Sequence, residues 1–382
     1  MKRRTFLQAV TTSSLAVGVK TSWGVDNPTS SGAKAAEQAS PETILLKDYK
    51  PKSLYKIPIT NVPKAKFPII DMHSHAYAKT PEEISEWVKN MDEVGIAKTI
   101  VLTGETGQAF DEVYKKYSVH RGRFELWCGF DYTGYDQAGF DKRAIAALER
   151  CHQAGAQGVG ELHDKGKGLS SETMMASGMH PDDPRMDSVF DRCGQLGMPV
   201  NLHVADPIWM YQPMDNENDG LMNAFQWRLD NQPGIVGHSG MIDILERTVK
   251  KHRSTTFIAC HFANLDYDLG RLGEIFERHP NLYADISARY AETAPIPRFT
   301  SQFYAKNADR LLYGTDMGFD KPMYQVTFRI LETLDEHFYE TDMFGYHWSL
   351  NGFGLSDEIL QKLYRTNAEK LMAARSKVNA KT

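Results

Sequence analysis

Five apolar stretches of this 382-residue chain each end in a side chain able to hold a metal ion. They close on Asp71-Met72-His73-Ser74-His75, Gly160-Glu161, Leu202-His203, Cys260-His261 and Gly314-Thr315-Asp316. Residues two apart in an extended strand face the same way, so His73 and His75 point together. Imidazoles and carboxylates gathered at one rim suit Zn²⁺ first, with Mn or Fe as alternatives, in one or two ions. One such residue at a strand end has ordinary structural uses. Five endings in the order His-x-His, Glu, His, His, Asp are accounted for together by a metal centre. A bound ion lowers the pKa of its water toward about 7 and polarises a carbonyl oxygen. The predicted chemistry is hydrolysis of an amide, ester or lactone, with Asp316 taking the water's proton and passing it to the leaving group.

Such a rim requires strands that end side by side. Eight β-like runs are read at Phe67–His75, Lys98–Leu102, Phe124–Phe130, Gln157–Leu162, Pro199–Val204, Thr255–Phe262, Leu282–Ile286 and Leu311–Asp316. Helix-like spacing of apolar residues fills the intervals, at Pro81–Val94, Asp141–Ala154, Met186–Leu196, Ile242–His252, Leu269–Arg278 and Met323–Glu336. Pro81 ahead of two glutamates is a helix-start signal. Eight β/α units over about 250 residues predict a (β/α)8 TIM barrel, whose catalytic groups sit at the C-terminal strand ends. An open doubly wound sheet is the competitor, but no Gly-x-Gly-x-x-Gly follows the first strand.

The motifs Asp71-Met72-His73-Ser74-His75, His203, His261 and Gly314-Thr315-Asp316 resemble the amidohydrolase superfamily. The branch they look most like is the amidohydrolase-related group that includes aminocarboxymuconate-semialdehyde decarboxylase and several lactone hydrolases. The closing Asn367-Ala368-Glu369-Lys370-Leu371 is similar to that group's Asn-Ala-x-x-Leu tail, and the resemblance spans residues 67–371. It implies that His73, His75, His203 and Asp316 hold a metal, and that His261 binds a second ion or polarises the substrate. Asp316 and His261 are thus the catalytic candidates. Strand four ends in Glu161 where many two-metal members carry a carboxylated lysine; a glutamate there resembles the deoxyribonuclease-like branch, where a carboxylate bridges two ions. His261-Phe262-Ala263-Asn264 also departs from the pattern, which often has a glycine after that histidine. Decarboxylation of a small carboxylic acid is an alternative to hydrolysis that the resemblance allows. A non-catalytic exported metal-binding barrel is a third reading.

Several residues have two readings each. Asp71 either orients a ligand or fills the lower barrel. His163, Lys165 and Arg289 either bind a substrate carboxylate or sit on exposed loops. His238 either lines the site or enters a helix. Residues 207–238 are crowded with aromatic and Met side chains and form either a lid or pocket wall over the metal, or a packing element or dimer contact on the flank.

Arg3-Arg4-Thr5-Phe6-Leu7 ahead of a weakly apolar run looks like a twin-arginine export signal, so residues 1–35 are read as a signal peptide and the protein as periplasmic. Residues 36–66 read as a linker and 67–375 as the barrel. A net charge of −5, with 44 basic against 49 acidic side chains, gives no pull toward nucleic acid. No stretch approaches the ~18 apolar residues of a membrane span. The partner expected is a small-molecule substrate, with a homo-oligomer left open. Cys128, Cys151, Cys193 and Cys260 form no C-x-x-C pair and read as buried thiols.

Overall fold

The computed structural model describes residues 40–171 and 174–379, so the export signal read at 1–35 lies outside the described residues. The chain divides into two units, Met1–Ile44 and Leu45–Thr382. Of the first, residues 40–44 are described, a turn in which the Thr43 and Ile44 N–H groups donate to the Ser40 carbonyl.

Among the described residues the second unit holds eight strands: β1 (Ile69–Ser74), β2 (Ile96–Leu102), β3 (Phe124–Trp127), β4 (Val159–Asp164), β5 (Val200–Val204), β6 (Phe257–Ala259), β7 (Leu282–Asp285) and β8 (Leu311–Leu312). All neighbours run parallel, in a three-stranded run β1-β2-β3 and a five-stranded run β4 to β8. A few backbone bonds close each seam. Cys128 donates to Gly158 (3.0 Å) and Gly160 to Cys128 (2.8 Å) between β3 and β4. Met72 donates to Tyr313 (2.9 Å) and Asp316 to His73 (3.0 Å) between β8 and β1. The result is the closed (β/α)8 barrel, and the expectation holds.

Helices cover the outside at the expected places. Pro81–Val94 starts on a capping box, with Thr80 accepting from Glu83 N–H and Glu83 reaching back to Thr80. Gly107–Tyr117 and Pro297–Asn307 complete the set of eight. Inside the barrel, Ile70, Met72, Ile100, Leu102, Trp127, Ile258 and Leu312 pack together, and Ala368 and Leu371 of the C-terminal helix join them. That helix closes the floor, and Asn367 secures it by donating to the Ala308 and Leu311 carbonyls (2.7 and 2.9 Å). The Asn-Ala-x-x-Leu tail is therefore a plug.

Two expectations change. β6 and β8 are shorter than read, ending at Ala259 and Leu312, and the backbone beyond them turns left-handed at His261–Asn264 and at Asp316. Residues 45–66 are docked along the barrel instead of tethering it. Thr60 donates from N–H and Oγ1 to Asp335 (2.8 and 2.6 Å), Lys66 N–H to Glu332 (3.0 Å), and Ala65 N–H to Val94 (2.9 Å). Pro51, Pro58 and Pro63 keep this strap from forming ladder bonds of its own, so side chains of the barrel accept from it. All four cysteines are free and buried, as expected.

Candidate metal centre

Backbone departures at the strand ends set the rim. Ala205 after β5, His261–Asn264 after β6, Ala288 after β7 and Asp316 after β8 all have positive φ without being glycine. Left-handed backbone costs an L-residue about 1–2 kcal/mol, so each needs holding by its surroundings. Gly314 serves closure directly: a Cβ there would lie 2.7 Å from the His73 Cβ, so only glycine lets β8 come this close to β1.

The six expected residues meet. Glu161 stands in the middle, with Oε2 3.7 Å from His73 Nε2 and 3.3 Å from His75 Nε2, and Oε1 2.6 Å from His203 Nδ1 and 3.5 Å from His261 Nε2. Asp316 faces it from β8, with Oδ1 3.0 Å from His75 Nε2 and 3.6 Å from His73 Nε2, and Oδ2 3.7 Å from His261 Nε2. Among the described residues four ligand-type sets have their donor atoms within 4.8 Å of one another, and two of them, His73-His75-Asp316 and Glu161-His203-His261, consist wholly of expected residues; the others are His73-Glu161-Cys260 and His73-His261-Asp285.

Three of the imidazoles are oriented alike. Nδ1 of His73 donates to Asp285 (2.9 Å), of His75 to the Leu102 carbonyl (3.0 Å), and of His261 to the Ser287 carbonyl (2.9 Å). Their Nε2 atoms are thereby turned to one place, the arrangement by which second partners prepare histidine for a metal. His73 Nε2 is buried and has no hydrogen-bond partner. His203 differs, with Nδ1 on Glu161 and Nε2 3.0 Å from Asp206 Oδ1, so both nitrogens donate and the ring is a cation between two carboxylates.

The charges answer one another. Burial alone would lower His73 and His75, but the carboxylates of Asp285, Asp316 and Glu161 hold His73 well above its ordinary value and Asp316 and Glu161 push His75 up to about 10. Against burial, Glu161 is held well below the carboxylate range by His163, His203 and His73, and Asp316 by His73, His75 and His261. His261 is pushed down to about 4 by burial and by the neighbouring His203 and Arg289 cations. It is therefore neutral at pH 7 and presents a lone pair.

The ambiguous residues resolve as follows. Asp71 takes the first of its two readings and orients ligand-type residues: its carboxylate accepts from the His73 N–H (3.3 Å) and from the Thr315 N–H (3.0 Å) and hydroxyl, fixing the loop that carries Asp316. His163 joins the cluster, 3.1 Å from Glu161, and Lys165 pairs with Asp206 (2.8 Å). Arg289 is on neither an exposed loop nor a free binding surface: it is buried against Asn264 and Glu292. His238 opens the helix His238–Lys251. A cleft of about 580 Å³ reaches Glu161, His75 and His163, lined also by Tyr77, Lys79, Thr103, Tyr132 and Met174. Residues 207–238 contribute nothing to that lining. Met210, Ala224 and Leu229 build a small core of their own with Trp209, Met214 and Ile235, so the segment is a packing element and the lid reading is corrected.

Sequence reading missed Asp285, Asp206, Ser287 and Tyr77, whose hydroxyl donates to Asp316 Oδ1 (3.1 Å). Asp285 ends a strand like the other five, which was its available signal; Asp206 and Ser287 lie in turns that have no period to read.

A parallel barrel with this rim defines the class of (β/α)8 proteins that gather imidazoles and carboxylates at the C-terminal strand ends. The chain belongs to the amidohydrolase family, which it matches over residues 70–372. It is similar in fold to 2,6-dihydroxybenzoate decarboxylase from Rhizobium (15% identity, TM-score 0.51), a match covering 80% of this chain and 99% of the other. It is equally similar to a Staphylococcus aureus protein described as an amidohydrolase (16% identity, TM-score 0.53), covering 80% and 100%. No curated protein matches the sequence. Family members usually bind divalent metals, and the clusters described above are candidate ligands.

Proposed function

We propose that this protein is a metal-dependent hydrolase of a small amide, ester or lactone. The observation that carries the reading is the convergence of three Nε2 atoms, from His73, His75 and His261, each with Nδ1 committed elsewhere and one of them buried without a partner. Four imidazoles and two carboxylates form a donor set that fits Zn²⁺, with Mn²⁺ or Fe²⁺ next. His73, His75 and Asp316 would hold one ion and His203 and His261 a second, once His203 Nδ1 gives up its proton and keeps Nε2–H on Asp206. Glu161 presents one oxygen to each set, which supports a bridging role. When bound, such an ion supplies Lewis acidity toward a carbonyl oxygen and acidifies adjacent water.

The chain's own groups do the rest. Asp316, ionised at neutral pH and steadied by the Tyr77 hydroxyl, accepts a proton and returns it to the leaving group. His261, neutral and fixed by Ser287, faces the same space as a ligand or as a polariser of the substrate. The cleft admits the substrate past His75 and His163. Lys79 and His163 on its wall favour a second reading, decarboxylation, because they could receive a substrate carboxylate.

The test is metal analysis of the purified protein, followed by turnover on lactones, esters, amides and aromatic carboxylic acids. His73→Ala should lose bound metal and turnover together. Release of CO2 without hydrolysis would replace the first reading by the second, and a metal-loaded protein inert on all four classes would sink both. We further propose, from Arg3-Arg4-Thr5-Phe6-Leu7, that residues 1–35 are a twin-arginine signal and that the mature protein is periplasmic.

A further inference from the structure

His261 is carried by a turn of unusual backbone. Residues His261, Phe262, Ala263 and Asn264 all have φ between +53° and +58°, a left-handed run without glycine, where L-residues normally appear singly. Two bonds close the run, Ala263 N–H to the Cys260 carbonyl (2.8 Å) and Leu265 N–H to the Phe262 carbonyl (3.0 Å). Those bonds order the turn without aiming it. At His261 the N–H donates to Asp285 Oδ1 (3.0 Å) and Nδ1 to the Ser287 carbonyl (2.9 Å), and at the far end of the turn the hold is Asn264. Its side-chain amide donates to the Val204 and Ala205 carbonyls (3.0 and 3.2 Å), immediately beyond His203. Its Oδ1 accepts from Arg289 Nε and Nη2 (3.2 and 2.8 Å), and its main-chain carbonyl accepts from His238 Nε2 (2.8 Å). The residue is 0% exposed and joins the ends of β5 and β6 to the turn after β7.

We propose that Asn264, braced by Arg289, is a positioning residue that locks the left-handed turn and so sets the spacing of His261 from His203. The idea deepens the metal-centre reading and rests on it. The two rings stand edge to face with centroids 4.6 Å apart, one on the strand end that Asn264 grips and the other on the turn that contains it. Arg289 is itself braced, with Nε 3.1 Å from Glu292 Oε2, and its burial leaves no guanidinium face for a substrate. Asparagine also tolerates left-handed backbone better than most L-residues, so one residue meets both the conformational and the bonding demand.

Glycine substitutions separate the two demands. Ala263→Gly relaxes the backbone and touches no clamp bond; Asn264→Gly relaxes it equally but removes the clamp. Zn²⁺ affinity by chelator competition and the absorption spectrum of the Co²⁺-saturated protein should be measured for both. Loss of stability alone leaves the spectrum of the folded, saturated protein unchanged. Ala263→Gly should match the parent in both readouts. Asn264→Gly should bind Zn²⁺ about tenfold or more weakly, as removal of outer partners of metal ligands does, and should alter the Co²⁺ spectrum. Asn264→Asp keeps Arg289 as partner and loses the two donated bonds, which covers the case of a glycine variant that fails to fold. Parent-like affinity and spectrum in whichever Asn264 variant folds overturn the proposal. If the parent itself binds neither ion, the metal reading fails, and crystal structures of the Asn264 variants decide the clamp alone: a displaced His261 upholds it and an unmoved one rejects it.

Discussion

Asp316 reaches the rim from a left-handed residue whose place is set by Asp71, through the Thr315 N–H and hydroxyl, and by Tyr77 at its own carboxylate. Four groups therefore decide the direction of one carboxylate, and the imidazoles around it keep it ionised. Asp316→Asn preserves the shape and one oxygen for a metal but removes the proton acceptor. Its kcat should fall by about 10²–10⁴ while much of the zinc remains. The pair of measurements is kcat and zinc per chain. Near-normal turnover with full zinc would transfer the base role to His261, whose ring is neutral at pH 7. Asp71 contributes at one remove. Losing its carboxylate would remove the shorter bond of the buried Thr315 N–H, which keeps the one to the His73 carbonyl (3.2 Å), together with the acceptor of the Thr315 hydroxyl, a cost of roughly 0.5–1.5 kcal/mol per bond, and would loosen the loop under Asp316.

At the scale of elements, the segment 207–238 shows how composition misleads when the third dimension is missing. Trp209 is partly buried, packs on Trp348 with ring centroids 5.8 Å apart, and leaves no room for a Cβ at Gly220. Trp227 is 55% exposed. Trp209→Ala should therefore cost roughly 2 kcal/mol, less than a fully buried aromatic. Trp227→Ala should stay within about 0.5 kcal/mol. Neither should move KM, because the cleft is lined elsewhere. Thermal melts and substrate titrations of both variants check this, and a KM change larger than the stability change would restore the lid. The loop after β4 is the better wall: Asp164 holds it by accepting from the Gly166 and Gly168 N–H groups (2.9 and 3.0 Å) and from His180 Nδ1 (2.6 Å).

For the whole molecule, the rim stores charge that a metal would replace, and stability follows pH accordingly. In the metal-free protein His73 and His75 bind protons more tightly than in the unfolded chain, whose histidines titrate near 6.5. Their contribution is complete below about pH 6.5 and is lost as pH rises toward about 10. Glu161 and Asp316 act oppositely: their contribution is present above the ordinary carboxylate range and is lost as pH falls through their lowered folded values. Metal-free protein should accordingly lose melting temperature between pH 6.5 and 10. Zinc must displace protons from the imidazoles, so the zinc-induced rise in melting temperature should grow with pH over the same interval. A zinc-induced rise that shrinks with increasing pH would contradict the charge arrangement. Export is tested on the full chain. Arg3→Lys with Arg4→Lys should leave the protein in the cytoplasm, and periplasmic recovery of that variant would refute the signal.

The barrel and most of its rim were legible in the sequence because both follow from short-range regularities. Apolar runs of strand length, helical spacing between them and a ligand-type residue closing five of the runs depend only on local order along the chain, and the structure brings all of those residues together. The parts that had no local mark were decided by tertiary contact. Asp206 matters because β5 ends beside the loop holding Lys165, and Asn264 because three strand ends converge on one amide. Arg289 looked like a free cation until folding buried it against Glu292. The left-handed turn at His261–Asn264 is opposed by the preferences of its own residues and persists through bonds to distant chain, so no window of sequence contains its cause. Periodicity tells which way a side chain faces while the ladder is regular; where strands end, the partners across the barrel take over that choice.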